Sequence, residues 1–157
     1  MNKVVIGSDH AATEVKPQLI AYLQEKGYDV TDVGTYSADS CDYPVFADRL
    51  CKRIQSGEFE RGILICGTGI GISIAANKHE GIFAALCTDE YTAQMARQHN
   101  GANVVCMGAR VTDFEMMKKI ADIFLTTDPL FEGRHERRRQ ELRALDNGTF
   151  SEDNLPE

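Results

Sequence analysis

The chain alternates short apolar runs with longer segments in which apolar residues return every three or four positions. The runs are Lys3–Ser8, Tyr28–Val33, Gly62–Cys66, Ile82–Cys87 and Asn103–Met107. They are rich in Val, Ile and Ala and are continuous rather than alternating, as suits strands covered on both faces. Between them, Ala12–Lys26 sets Val15, Leu19, Ile20 and Leu23 on one stripe, with Pro17 implying a late start or a kink. Phe46–Ile54 spaces Phe46, Leu50 and Ile54 four apart, and Ser73–Lys78, Glu90–His99 and Phe114–Leu125 complete the helical segments. This order predicts an α/β fold, a parallel sheet with helices on both faces, as one domain over residues 1–146. Residues 147–157 are polar and acidic, and are expected to form a flexible tail.

Composition removes several classes of function. The 157-residue chain carries a net charge of −7, which gives no general attraction to nucleic acid or to an anionic membrane. Its apolar runs fall far short of the ~20 residues of a membrane span. Met1–Ile6 leads into a strand without a cleavable signal pattern. The five cysteines, Cys41, Cys51, Cys66, Cys87 and Cys106, form an odd set without C-x-x-C spacing. That pattern suits neither a disulfide framework nor a zinc knuckle, and a reducing cytoplasm is expected. The four histidines are scattered, so no metal site is expected.

In parallel sheets, ligands bind beyond the carboxyl ends of the strands. Asp9 and His10 follow the first run there, Cys66 and a glycine turn follow the third, and Arg110 follows the fifth. The turn, Cys66-Gly67-Thr68-Gly69-Ile70-Gly71-Ile72-Ser73, has glycines two apart, which lets backbone N–H groups converge on an anion. It lacks the Gly-Lys-Ser/Thr ending of a nucleotide loop and the spacing of a dinucleotide site. A helix N-terminus beside the thiol would lower its pKa and make it a usable base or nucleophile. The plainer alternative is a tight turn with a buried, inert cysteine.

Three further segments carry chemistry. Asp9-His10 could hold a hydroxylated ligand, or Asp9 could simply cap the next helix. Arg134 and Arg138 sit four apart in a cationic cluster and could clamp a phosphate, or form a solvated helix face paired with Glu136 and Glu141. His99 ends a helix stopped by Gly101, where it could act as acid or base or only as a cap. Together these groups suit a metal-free reaction on a small phosphorylated polyol.

The blocks Gly7-Ser8-Asp9-His10-Ala11, Asp42-Tyr43-Pro44, Cys66 to Lys78, Arg97-Gln98-His99-Asn100 and Phe131-Glu132-Gly133-Arg134-His135 resemble the type B ribose-5-phosphate isomerases. That family also takes in galactose-6-phosphate and allose-6-phosphate isomerases. The resemblance runs to about Arg143. It implies a Rossmann-like three-layer α/β/α sandwich with a five-stranded parallel sheet. It also implies a homodimer, with pairing into tetramers left open, active sites at the subunit interface and no cofactor. The implied reaction is ribose 5-phosphate to ribulose 5-phosphate through a cis-enediolate, without metal.

By matching position, Cys66 resembles the base, and Gly67, Gly69, Gly71 and Ser73 the anion hole. His99 and Asp9, helped by Thr68, resemble the ring-opening groups. His10, Arg134 and Arg138 resemble phosphate ligands, Tyr43 lines the site, and Asn100 and Arg110 look like the partner subunit's contribution. Ile72 stands where another branch of the family carries a glutamate base. One departure is the single Gly133 before Arg134, where many relatives have two glycines. A non-catalytic phosphosugar-binding module and a thiol redox or nucleotide-binding protein stand as the other readings.

Overall fold

The computed structural model describes residues 2–155. Five strands, β1 (Lys3–Ser8), β2 (Asp29–Asp32), β3 (Gly62–Cys66), β4 (Ala84–Leu86) and β5 (Val104–Gly108), form one parallel sheet in the order β2-β1-β3-β5-β4. Six helices accompany them: α1 (Val15–Glu25), α2 (Tyr43–Gln55), α3 (Ile70–Ala76), α4 (Glu90–Gln98), α5 (Phe114–Thr126) and α6 (Gly133–Asp146).

The continuous apolar runs sort themselves by alternation, because successive strand residues point to opposite faces. Val4, Ile6, Ile63, Ile65, Val105 and Met107 pack with Leu19, Leu23, Ala93, Ala96, Met117, Ile120 and Phe124 from α1, α4 and α5. Val5, Leu64, Cys66, Val104 and Cys106 pack on the other face with Ala47, Leu50, Cys51, Ile72 and Ala76 from α2 and α3. Each fully buried Leu or Ile here contributes about 1.5–3 kcal/mol by leaving water. Cys66 is the last residue of the central strand and lies on the α2–α3 face.

Several boundaries differ from expectation. The helix expected over Ala12–Lys26 is a 3-10 turn at His10–Ala12 followed by α1 from Val15, so Pro17 falls in the first turn, where its missing N–H costs nothing. α2 starts at Tyr43, three residues before the expected Phe46, with Pro44 in its first turn. α3 begins at Ile70 rather than Ser73 because the positive φ of Gly69, +79°, turns the chain directly into the helix. β4 keeps only Ala84–Leu86 of its run, and Phe83 N–H bonds instead to the Asn103 side chain. α6 lies outside the regular alternation and carries the whole arginine cluster.

Within the stretch expected as a tail, the Thr149 and Phe150 N–H groups donate to the Ala144 carbonyl, and Ser151 caps a 3-10 turn over Glu152–Asn154. Residues 156 and 157 lie outside the described part. Among the described residues no helix is long and apolar enough to cross a membrane.

Candidate active site

The strand order reverses between β1 and β3, since β2 follows β1 on one side and β3 lies on the other. Such a reversal opens a crevice at the carboxyl ends of the two strands. Asp9 and Cys66 stand on its two sides, and the Asp9 N–H donates to the Ile65 carbonyl at 3.2 Å.

The glycine turn wraps the Cys66 sulfur. The Gly69 N–H donates to Sγ at 3.1 Å. A Cβ at Gly69 would lie 2.5 Å from Leu86 Cδ1 and 2.9 Å from the Met107 carbonyl carbon, so the turn is pressed onto β5. Beyond it, the amides of Gly71 and Ile72 lie in the first turn of α3 and have no intrahelical acceptor.

Two side chains lean onto this turn. The Arg110 guanidinium stands 3.1 Å from where a Gly67 Cβ would be, and the Tyr43 ring 2.6 Å from where a Gly71 Cβ would be. Ala109 N–H to the Cys66 carbonyl and Arg110 N–H to the Gly67 carbonyl lock the loop after β5 to the turn. Arg110 therefore reaches the turn within its own chain.

Asp9 is buried, and its Oδ1 accepts the Ala11 N–H at 2.9 Å, so it caps the 3-10 turn as well as facing the crevice. His10 Nδ1 accepts the Cys41 N–H at 3.2 Å, with Cys41 Sγ at 3.8 Å. In the neutral ring that bond leaves the proton on Nε2, so His10 can donate to a ligand. Thr68 is exposed, and its Oγ1 accepts the Ile70 N–H. The Ser73 hydroxyl donates to the Ile70 carbonyl at 2.7 Å, a bond back into its own helix.

Three further thiols lie in the core. Burial pushes Cys51 up to about 12 and Cys87 up to about 11, and lifts Cys106 well above the usual thiol range. These three stay protonated at neutral pH.

His99, Asn100, Arg134 and Arg138 are not at this crevice. Gly62 pairs with Val104 and Cys66 with Gly108, so four residues, about 13 Å at 3.3 Å each, separate the two ends of the central strands. His99 and Asn100 lie before Val104, at the amino end. There the His99 ring stacks on His135 with centroids 3.8 Å apart and planes within 6°. Lost hydration, the facing His99 ring and the charges of Arg134, Arg138 and Arg139 push His135 below the usual imidazole value. Arg134 and Arg138 are exposed on α6 beside this stack.

Two arginines of this end carry a role that spacing did not reveal. Arg97, buried against the Phe124 ring, donates through Nε to the Thr127 carbonyl at 3.0 Å and through Nη1 to the Ala102 carbonyl. Burial pulls it down to about 10, still cationic at neutral pH. Arg139 is buried too and donates to the Gln98, His99 and Leu130 carbonyls and to Glu136. Nothing in a run of four cationic residues around Glu136 marks which one turns inward; only the partners show it.

The chain thus holds two separate clusters of polar and titratable groups, a thiol with an amide-lined turn at one end of the sheet and imidazoles with arginines at the other. The ribose/galactose isomerase family model matches residues 4–142. Over 147 residues the chain is 44% identical to ribose-5-phosphate isomerase B of Escherichia coli (strain K12), covering 93% of this chain and 97% of that protein. The solved ribose-5-phosphate isomerase B of Clostridium thermocellum superposes with a TM-score of 0.90 at 42% identity, covering 94% of this chain and 99% of that one. The type B ribose 5-phosphate isomerase of Leishmania infantum superposes with a TM-score of 0.91 at 43% identity, covering 96% and 100%. The chain belongs to the ribose/galactose isomerase family.

Proposed function

We propose that the protein interconverts ribose 5-phosphate and ribulose 5-phosphate, with Cys66 as the base and without a metal ion. The observation that carries this reading is the Cys66 thiol at the carboxyl end of the central strand with the Gly69 N–H on its sulfur. The full-length likeness to enzymes named for ribose 5-phosphate supports the substrate.

In the open-chain aldose, the Cys66 thiolate takes the proton from C2, and the electron pair moves to the carbonyl oxygen. The O2 proton passes to O1 across the cis-enediolate, the proton held by Cys66 is returned to C1 as the O2 electron pair forms the new carbonyl at C2, and the ketose results. A positioned base contributes ~10²–10⁴ to the rate. Each amide aimed at the developing oxyanion contributes ~10²–10³. Gly67, the first-turn amides of Gly71 and Ile72, and Thr68 serve that task on the Cys66 side. Asp9 and His10 hold sugar hydroxyls and phosphate from the β1 side.

The remaining groups come from a second copy. His99 opens the sugar ring, Arg134 and Arg138 hold the phosphate, and Asn100 lines the site. The separation of the two clusters within one chain supports this, because each lacks what the other has. Ile70 and Ile74, both more than half exposed, and Leu86 form an apolar border to the Cys66 crevice, which a second copy would cover. A twofold contact joins each carboxyl end to the other chain's amino end and yields two equal sites. The five free cysteines fit a reducing cytoplasm.

The test is the initial rate with ribose 5-phosphate, galactose 6-phosphate and allose 6-phosphate in buffer with chelator. The proposal expects preference for ribose 5-phosphate, unchanged by chelator. Preference for a six-carbon phosphate would move the substrate. Binding without turnover of any of them would leave a phosphosugar-binding module.

A further inference from the structure

We infer that Arg139 is a positioning residue, which sets the ring-opening imidazole of His99 and the phosphate-binding face of α6 in one fixed relation. The inference rests on the roles proposed above for His99, Arg134 and Arg138.

α6 attaches to the rest of the chain in an unusual way. A surface helix ordinarily docks by an apolar stripe. Here the one buried side chain among Gly133–Asp146 is Arg139, 4% exposed. Its Nη1 donates to the Gln98 and His99 carbonyls at 3.2 Å each, and its Nη2 to the Leu130 carbonyl and the Glu136 carboxylate. Its Cδ lies 2.8 Å from where a Gly101 Cβ would be, so the stem also covers the turn that follows His99.

The two carbonyls at the end of α4 are helix-end acceptors without intrahelical donors, and a cation there is favoured. Glu136, held below the usual carboxylate range chiefly by its hydrogen bond to Arg139, balances the buried charge. One guanidinium therefore ties the backbone of His99 to the helix whose preceding turn presents Arg134, His135 and Arg138. Lysine cannot replace it, since an ammonium lacks the planar fork that reaches acceptors on both sides.

A residue that only stabilised the fold would lower the melting temperature and leave a folded variant with near-normal turnover. A residue that positions His99 acts on kcat through it. The test is Arg139→Lys and Arg139→Gln, each in the natural chain and in a His99→Asn background, with kcat and KM measured for ribose 5-phosphate and folding checked by circular dichroism. In the natural chain we expect kcat to fall about 10- to 100-fold, the scale of a small misplacement of a catalytic group. KM should rise as well, because α6 carries the phosphate arginines. In the His99→Asn background the kcat loss should shrink to less than about twofold while the rise in KM persists.

An equal kcat loss in both backgrounds, or full turnover by folded Arg139→Lys, would overturn the inference alone. Full turnover by His99→Asn would overturn the reading beneath it. Glu136→Gln, which keeps the guanidinium but removes its counter-charge, carries the same comparison if both Arg139 variants fail to fold; a kcat loss that survives in the His99→Asn background would again overturn the inference.

Discussion

The two ends of the sheet are built from different materials. At the carboxyl end the backbone does most of the work: a thiol, a tight turn and amides held against β5, with little room at Gly67, Gly69 or Gly71 for a side chain. At the amino end long side chains do it. Arg97 and Arg139 reach back to main-chain carbonyls and hold a polar helix that has almost no apolar face. The first end should tolerate almost no change of shape, whereas the second should respond in steps as individual hydrogen bonds are lost.

The largest effect is expected at the carboxyl end. Cys66→Ala removes the proposed base, and turnover of ribose 5-phosphate should fall by at least ~10²–10⁴ while substrate binding, followed by calorimetry, persists. Gly69→Ala comes next. It combines a backbone φ of +79° with a Cβ 2.5 Å from Leu86 Cδ1. It should lower both the melting temperature and kcat, at a cost of about 1–3 kcal/mol in backbone strain before the clash is counted.

At the amino end, Arg138→Ala removes one of the two exposed arginines proposed to hold the phosphate. KM should rise about tenfold or somewhat more, with kcat changed far less, since a hydrogen bond to a charged group contributes ~1.5–3 kcal/mol. A kcat loss on the scale of Cys66→Ala would erase the distinction between the two ends.

The smallest effect concerns pH. His135 holds its proton less well in the fold than a free imidazole does. In the window below about 6.5 the unfolded chain binds more protons, so stability should fall as the pH falls. Asp48, Asp89 and Glu136, all held below the usual carboxylate range by their hydrogen bonds, add a further loss in stronger acid. Melting temperatures between pH 7.5 and 5 should decline, and His135→Asn should flatten the upper part of that slope. A decline untouched by His135→Asn would place its cause elsewhere.

The carboxyl end was readable from the chain because it is local. Cys66 to Ser73 is one contiguous stretch, and continuous apolar runs announce a parallel sheet whose strand ends point to the crevice. The amino end was readable only as residue types. His99, Arg134 and Arg138 could be singled out, but their distance from Cys66 depends on α4 running back along the sheet, which periodicity alone does not specify. The inward turn of Arg139 escaped for the same reason: its partners are carbonyls of Gln98, His99 and Leu130, and carbonyls leave no mark on a sequence. The bond of the Ser73 hydroxyl back to Ile70 is likewise silent in the sequence, because a hydroxyl near a helix start can as easily bond its own helix as face a ligand.

Under the proposed function, each active site takes its thiol from one chain and its imidazole from another. Inactive Cys66→Ala and weakly active His99→Asn chains should be mixed in equal amounts, unfolded and refolded together, and assayed with ribose 5-phosphate. Half of the dimers then carry both variants, and each of these holds one complete site, so about one quarter of the natural rate should return. A mixture no more active than the average of its two components would contradict shared sites and return both groups to a single chain.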